Sequence, residues 1–453
     1  MNHSSRAYGI VLILIIAILL FTACSDDTAQ TESVQENALR LVSELNAGNY
    51  ENAYREFQYE RTMKFSLGAG AFKDLWTDLT DEYGQPREIL SSTVNTVGKD
   101  TTVSVIVQHE KAQVIVNVIY NSNNRISGLE YGIVEEDVDW EQTGENDPSL
   151  APNETLLSVG TDQFPLKAML SIPLEGTKPY PLVILVPGSG PNDMDETVGV
   201  CTPFKDIAEQ LNKNGIAVLR FNSRAYEYLD EIGKNIANFT PYEEIIEDAV
   251  AVYHDAKTLY DIDPDRIYIA GHSIGGYFIP RIAEYTPDAA GYILLAANAY
   301  HMEDLIYQQY RYLVHMDGKV KFAEKFVLAR YQNMTKRVKN LKEGDDVNPR
   351  KLYGVYPNYW LYANKYNVLE TVKKIDLPVL FLQGTRDYQV SIDNFKLWKQ
   401  TMEGKDNAQF IQYDNLNHLF MYGETPSTPD EYQTKKNVDT KVTDDIARWI
   451  KEQ

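Results

Sequence analysis

The sequence predicts a mostly parallel, doubly wound α/β sheet with a helical insertion, preceded by a small α+β domain. Three observations carry this. From residue 154 onward, short apolar runs alternate with segments of helical periodicity, the order that builds a parallel sheet through right-handed crossovers. The run 181–186 (PLVILV) is apolar without interruption, as a strand buried on both faces requires. Ahead of it, over 32–140, helical periodicity comes first and period-two alternation second, which is the order of an α+β unit. At 453 residues the chain has length for two or three such domains.

The N-terminal segment reads as a leader. Residues 10–21 (IVLILIIAILLF) are unbroken apolar, too few for a comfortable membrane span and of the length of a signal-peptide core. The run ends in Phe21-Thr22-Ala23-Cys24. Small residues before a cysteine resemble the bacterial lipobox, with Phe21 where that pattern usually has Leu. The resemblance implies cleavage after residue 23 and a lipidated Cys24 as mature N-terminus. Residues 24–31 are then the lipidated cysteine and a polar, acidic tether. The chain is expected outside the cytoplasm, held to the cell membrane by that lipid alone, with secretion as the alternative.

Residues 32–140 carry apolar residues at helical spacing over 32–46, 49–60 and 71–83, with Gly84-Gln85-Pro86 as a stop. Period-two strands are expected at 101–109, 112–120 and 125–133, with Asn121-Ser122-Asn123-Asn124 as a turn. His109 is expected to be a strand residue facing solvent. Helices followed by a meander resemble the small NTF2-like domains found ahead of some secreted bacterial hydrolases. Residues 141–153 are acidic, contain Pro and Gly, have no periodicity and read as a linker.

The second part, 154–453, opens with a hairpin-like pair, 154–159 and 164–172. Strands follow at 181–186, 216–221, 266–270, 291–297, 378–383 and 408–413. Helices are expected at about 204–213, 242–260, 274–285, 391–402 and 440–451. Residues 299–370 interrupt the alternation and are too long for a structureless loop, so they read as a helical cap. Residues 300–366 hold 10 of the 31 tyrosines, about twice an even share, and packing of cap helices on one another is the favoured reading of them.

Charge excludes some partners. Asp and Glu number 65 against 43 Lys and Arg, a net −22, which repels phosphate backbones and argues against nucleic acid. Two cysteines cannot make a disulfide scaffold or a closed Cys-rich zinc site, and Cys201 reads as a small buried hydrophobe. No metal and no cofactor are expected.

Chemistry is concentrated at strand ends. Strand 266–270 runs into Gly271-His272-Ser273-Ile274-Gly275-Gly276, a G-x-S-x-G turn that opens a helix. Gly271 and Gly275 allow the close backbone approach that such a turn needs, which lifts the Ser273 hydroxyl above the sheet edge. A serine nucleophile needs a base and an orienting acid. Of seven histidines only His418 follows the last strand; His3, His109, His254, His272, His301 and His315 lie elsewhere. Asp387 is the first carboxylate past strand 378–383, ahead of Asp393 and Asp414. An oxyanion site is expected from the backbone N–H of Ile274 and, in Pro187-Gly188-Ser189-Gly190-Pro191, that of Ser189, with Gly190 as second choice.

The stretch 154–451 resembles the α/β-hydrolase superfamily, and more narrowly bacterial carboxylesterases of the dienelactone-hydrolase and serine-aminopeptidase-like branch. PGSGP (187–191), GHSIGG (271–276), LQGTRDYQV (382–390) and NLNHLF (415–420) carry the resemblance. It implies a serine esterase acting on a small-molecule ester, with Ser273, Asp387 and His418 as triad in the order found in α/β-hydrolases. One position departs. Where relatives often have Arg-x-Asp-x-Arg, this chain has Arg220-Phe221-Asn222-Ser223-Arg224, which puts a structural loop contact in question. An amidase or exopeptidase with the same triad, or a non-catalytic binding lipoprotein, are the competing expectations.

Overall fold

A computed structural model of the chain describes residues 28–60, 69–97, 100–134, 150–316, 318, 320 and 322–453. The expected leader, Cys24 and residues 141–149 of the expected linker lie outside the described residues. The described residues form two units, one up to Val134 and one from Leu150.

The first unit has helices α1 (Thr28–Asn46), α2 (Tyr50–Glu56) and α3 (Ala69–Tyr83). Strands β1 (Pro86–Val97), β2 (Asp100–His109), β3 (Gln113–Tyr120) and β4 (Ile126–Val134) follow as an antiparallel meander in that order. Alternate valines of β2 and β3, from Val103 to Val118, pack on Leu41, Leu45, Phe72 and Trp76 of the helices. β1 was not expected. It begins with proline, is rich in Ser, Thr and Asn, and pairs along one edge only, so it shows little apolar alternation. His109 corrects its expectation too. It shares parity with Val103, Val105 and Val107, faces the core, is 1% exposed and has Nδ1 2.8 Å from the Gly84 carbonyl.

The second unit is an eight-stranded sheet. Its strands are β5 (Glu154–Gly160), β6 (Pro165–Ser171), β7 (Tyr180–Val186), β8 (Ala217–Phe221), β9 (Ile262–His272), β10 (Gly291–Leu295), β11 (Val379–Gly384) and β12 (Ala408–Tyr413). The spatial order is β12-β11-β10-β9-β7-β8-β6-β5, parallel from β12 to β8 and antiparallel only at β6 and β5. Every residue of β7, β8, β10 and β11 is buried, as two-sided coverage by helices demands. On one face Val183, Leu185 and Ala270 pack against α4 (Pro203–Lys213) and the terminal helix. On the other, Leu182, Ile184 and Ile269 pack against α5 (Glu247–Ala256) and α6 (Ile274–Ala283). The helix expected over 242–260 is a π turn at Tyr242–Ile246 leading into α5.

The insertion is helical: α7 (Met302–His315), α8 (Phe322–Lys339) and α9 (Pro357–Lys365). Its aromatics are largely core. Tyr353, Tyr359, Trp360 and Tyr366 are buried, and the Tyr353 and Trp360 ring centroids lie 5.8 Å apart. Cys201 is buried with Leu419, Met421 and Tyr432.

Candidate active site

The elbow is built by close approach. A Cβ on Gly271 would fall 2.5 Å from the Gly275 carbonyl carbon, and one on Gly275 would fall 2.4 Å from the Pro187 oxygen. No side chain fits at either position. Between them Ser273 adopts φ 53°, ψ −117°, a strained conformation for a residue with a Cβ, and its N–H is tied 2.8 Å from the Leu295 carbonyl at the end of β10. Ile274 begins α6, so its N–H belongs to the first turn, where no intrahelical acceptor exists.

His418 lies in the loop after β12 and Asp387 in the loop after β11. His418 Nδ1 is 2.7 Å from Asp387 Oδ2, with the two residues 3% and 5% exposed. Nδ1–H donates to the carboxylate, which leaves Nε2 as the acceptor of the neutral ring. Asp387 is itself fixed at both oxygens. Oδ1 accepts the N–H groups of Gln389 (2.8 Å) and Val390 (2.9 Å), and Oδ2 also accepts from Gln383 Nε2 (2.9 Å). Gln383 is a residue that sequence reasoning passed over. Asp393 is exposed and pairs with Lys396, and Asp414 is exposed, so neither competes. Asn417 shapes the loop by accepting the N–H groups of Leu419 and Met421. His254, His301 and His315 are exposed, and His3 lies outside the described residues.

The Gly-rich turn after β7 sits against the elbow, since a Cβ on Gly188 would lie 3.5 Å from Ser273 Cβ. The Asn192 amide gathers the carbonyls of Gly188, Ser189 and Gly190 at 3.1, 3.2 and 3.1 Å. Gly190 as an oxyanion donor is corrected: its N–H donates to Glu244 Oε1 at 3.1 Å. Glu244 Oε2 accepts from Tyr359 of the cap at 2.6 Å, and burial pushes the Glu244 carboxyl above its ordinary range. The turn is thus tied to the cap through one carboxylate. Neither Asn192 nor Glu244 had a sequence signal beyond being polar.

The contact in question at Asn222 is made. Its Oδ1 accepts the Met194 N–H at 2.6 Å and its amide donates to Glu227 at 2.6 Å. Arg220 holds the same segment through Asp195 at 2.7 Å. His272 also proves more than a filler of the elbow. Its Nδ1 is 2.9 Å from Glu196 Oε1 and its Nε2 is 3.0 Å from the His418 carbonyl.

A parallel sheet with a strained serine at the end of β9, and a carboxylate–imidazole pair past β11 and β12, defines an α/β-hydrolase of the serine-hydrolase class. Comparison with known proteins gives the family. Residues 196–425 match the family described as serine aminopeptidase S33, and the chain belongs to it. Residues 38–129 match a domain family of unknown function, DUF3887. The chain is similar to the esterase EstD of Thermotoga maritima, 28% identical over 417 residues that cover 92% of this chain and 95% of that one. Among solved structures it is similar to Est1E from Butyrivibrio proteoclasticus (19% identity, TM-score 0.43, 66% of this chain and 99% of that one). A Pyrococcus furiosus esterase is a further neighbour (16% identity, TM-score 0.41, 66% of this chain and 91% of that one).

Proposed function

We propose that the protein hydrolyses carboxylic esters of small molecules through a Ser273–His418–Asp387 triad and an acyl-enzyme. Ser273 Oγ attacks the carbonyl carbon while His418 Nε2 takes its proton. Asp387 holds the imidazole in the tautomer that leaves Nε2 free and stabilises the imidazolium that forms. The N–H groups of Ile274 and Ser189 receive the oxyanion. His418 then protonates the leaving alcohol, and water activated by the same ring releases the acid. The observation that carries this reading is the buried Asp387–His418 hydrogen bond of 2.7 Å, at the sheet edge where Ser273 has φ 53°. The similarity to EstD over nearly the whole chain favours esters.

The family's description, serine aminopeptidase, supports a second reading with the same triad and an amide substrate. A panel of short-chain acyl esters and aminoacyl anilides separates the two. The expected result is turnover of esters with kcat/KM at least about a hundredfold above any anilide; the reverse order would make the protein a peptidase.

The proposal extends to place. Cys24 is acylated and anchors the mature chain to the outer side of the cell membrane. Growth with an alkyne fatty acid should tag the wild type and leave Cys24→Ala untagged and released. A membrane-bound chain without a tag would contradict the anchor.

A further inference from the structure

Beside the triad lies a second buried carboxylate–histidine pair, Glu196 and His272, 3% and 5% exposed, to which the chemistry above gives no part. Its partners are unusual in kind. His272 Nδ1 meets Glu196 Oε1 at 2.9 Å, and Nε2 meets the His418 backbone carbonyl at 3.0 Å. The same Glu196 oxygen accepts the Gly188 N–H at 2.7 Å. A carbonyl oxygen can only accept, and so can each oxygen of an ionised carboxylate. Both ring nitrogens therefore face acceptors, and a neutral imidazole has only one N–H to give. Glu196 reaches this position with φ 51°, a backbone conformation that side chains other than glycine rarely adopt.

We infer that His272 is a fixed imidazolium, compensated by Glu196, that acts as a positioning residue joining the oxyanion turn, the nucleophile elbow and the loop of the catalytic histidine. One end of the pair holds Gly188, next to the proposed oxyanion donor Ser189. The middle is the residue that precedes Ser273. The other end holds the carbonyl of His418 itself. Three segments far apart in sequence are thereby set to one another by charge-assisted hydrogen bonds, stronger than neutral ones. The inference rests on the reading of His418 as the base.

Charge on His272 depends on what surrounds it. Burial alone would lower its pKa, but the Glu196 carboxylate, the His418 carbonyl and the more distant Asp387 carboxylate raise it above the ordinary value. The titratable His418 ring lies with its centroid 4.6 Å away, and the Phe204 ring centroid lies 6.4 Å away in an edge-to-face geometry. A histidine whose folded pKa is raised contributes fully below its unfolded value, about 6.5, and loses that contribution as pH climbs through the raised one. The anchor on the His418 loop should thus weaken on the alkaline side.

The test is nitrogen NMR of the full chain with 15N-histidine, the His272 signals assigned by their loss in His272→Gln, together with pH profiles of wild type and Glu196→Gln. The amide introduced by Glu196→Gln keeps an oxygen that can accept from Gly188 and His272, removes the charge, and puts an NH₂ in place of Oε2, which makes neither of those bonds. The expected result is a wild-type His272 with both nitrogens protonated at neutral pH, above the ordinary histidine value of about 6.5. In Glu196→Gln its titration should move to lower pH, kcat should fall about ten- to hundredfold with KM little changed, and the alkaline limb of kcat/KM should move down with the titration. A folded wild type with one unprotonated His272 nitrogen at neutral pH overturns the inference without reference to any variant. So does a Glu196→Gln enzyme with unaltered titration and rate. The failure of His418 as base is a separate result, read from His418→Ala: full activity there would remove the base while the His272 signals still report its charge.

Discussion

Ser273→Ala is expected to lower kcat by about 10⁵–10⁶. The hydroxyl is the only atom lost, and with it go the covalent intermediate and the proton that His418 would accept. Fold should be spared. Ser273 is anchored through its backbone, by N–H to Leu295 and by its carbonyl to the Tyr277 N–H, and alanine keeps both bonds. Stability should stay within about 0.5 kcal/mol of wild type in denaturant titration. Single-turnover and steady-state ester assays on this variant check the expectation; activity above about a tenth of wild type would remove Ser273 as nucleophile.

Asp387→Asn is expected to cost about 10³–10⁴ in kcat, and the structure says which atom does the damage. Oδ1 accepts two backbone N–H groups, from Gln389 and Val390, so the amide oxygen of the introduced asparagine must stay there. Its NH₂ then replaces Oδ2 and points at His418 Nδ1 and Gln383 Nε2. A donor facing Nδ1 forces the proton onto Nε2, which can no longer take one from Ser273. A donor facing the Gln383 amide adds a second mismatch. Asp393→Asn is the control, since that carboxylate is exposed and pairs with Lys396; it should leave the rate unchanged. Damage from Asp393→Asn with little from Asp387→Asn would reassign the acid.

What the sequence revealed follows from what kind of constraint each residue obeys. Strands buried on both faces read as apolar runs, so β7, β8, β10 and β11 were visible. Ser273, Asp387 and His418 were visible because each follows a strand, one, three and five residues past the ends of β9, β11 and β12, where a parallel sheet delivers its loops to one edge. β1 escaped because an edge strand of Ser, Thr and Asn carries no apolar signal. His109 escaped through a misjudged face, although its parity with Val103 to Val107 was there to be counted. The π turn at 242–246 has no sequence mark distinct from an ordinary helix. Glu196 and Glu244 owe their roles to partners 76 and 115 positions away, His272 and Tyr359, and no local pattern encodes those. Asn192 and Gln383 act on near neighbours, Gly188 to Gly190 and Asp387, but belong to no motif that marks them.

The N–H of Gly190 is taken by Glu244, and the contact that Asn222 put in question is made, for related reasons. Both concern the segment after β7, which is fixed from outside: by Glu244 on Gly190, by Asn222 on Met194, and by Arg220 on Asp195. A turn whose donors are assigned by distant side chains cannot be read from its own five residues. Asparagine suffices at 222 because its oxygen accepts one N–H and its amide reaches Glu227, so no charge is required there.

Covalent chemistry at Ser273 can be read by treating the wild-type protein with a fluorophosphonate probe, followed by proteolysis and mass spectrometry. A single adduct on the peptide that contains Ser273 is the predicted result. A folded protein that carries no adduct, or carries it on another residue, would contradict the account.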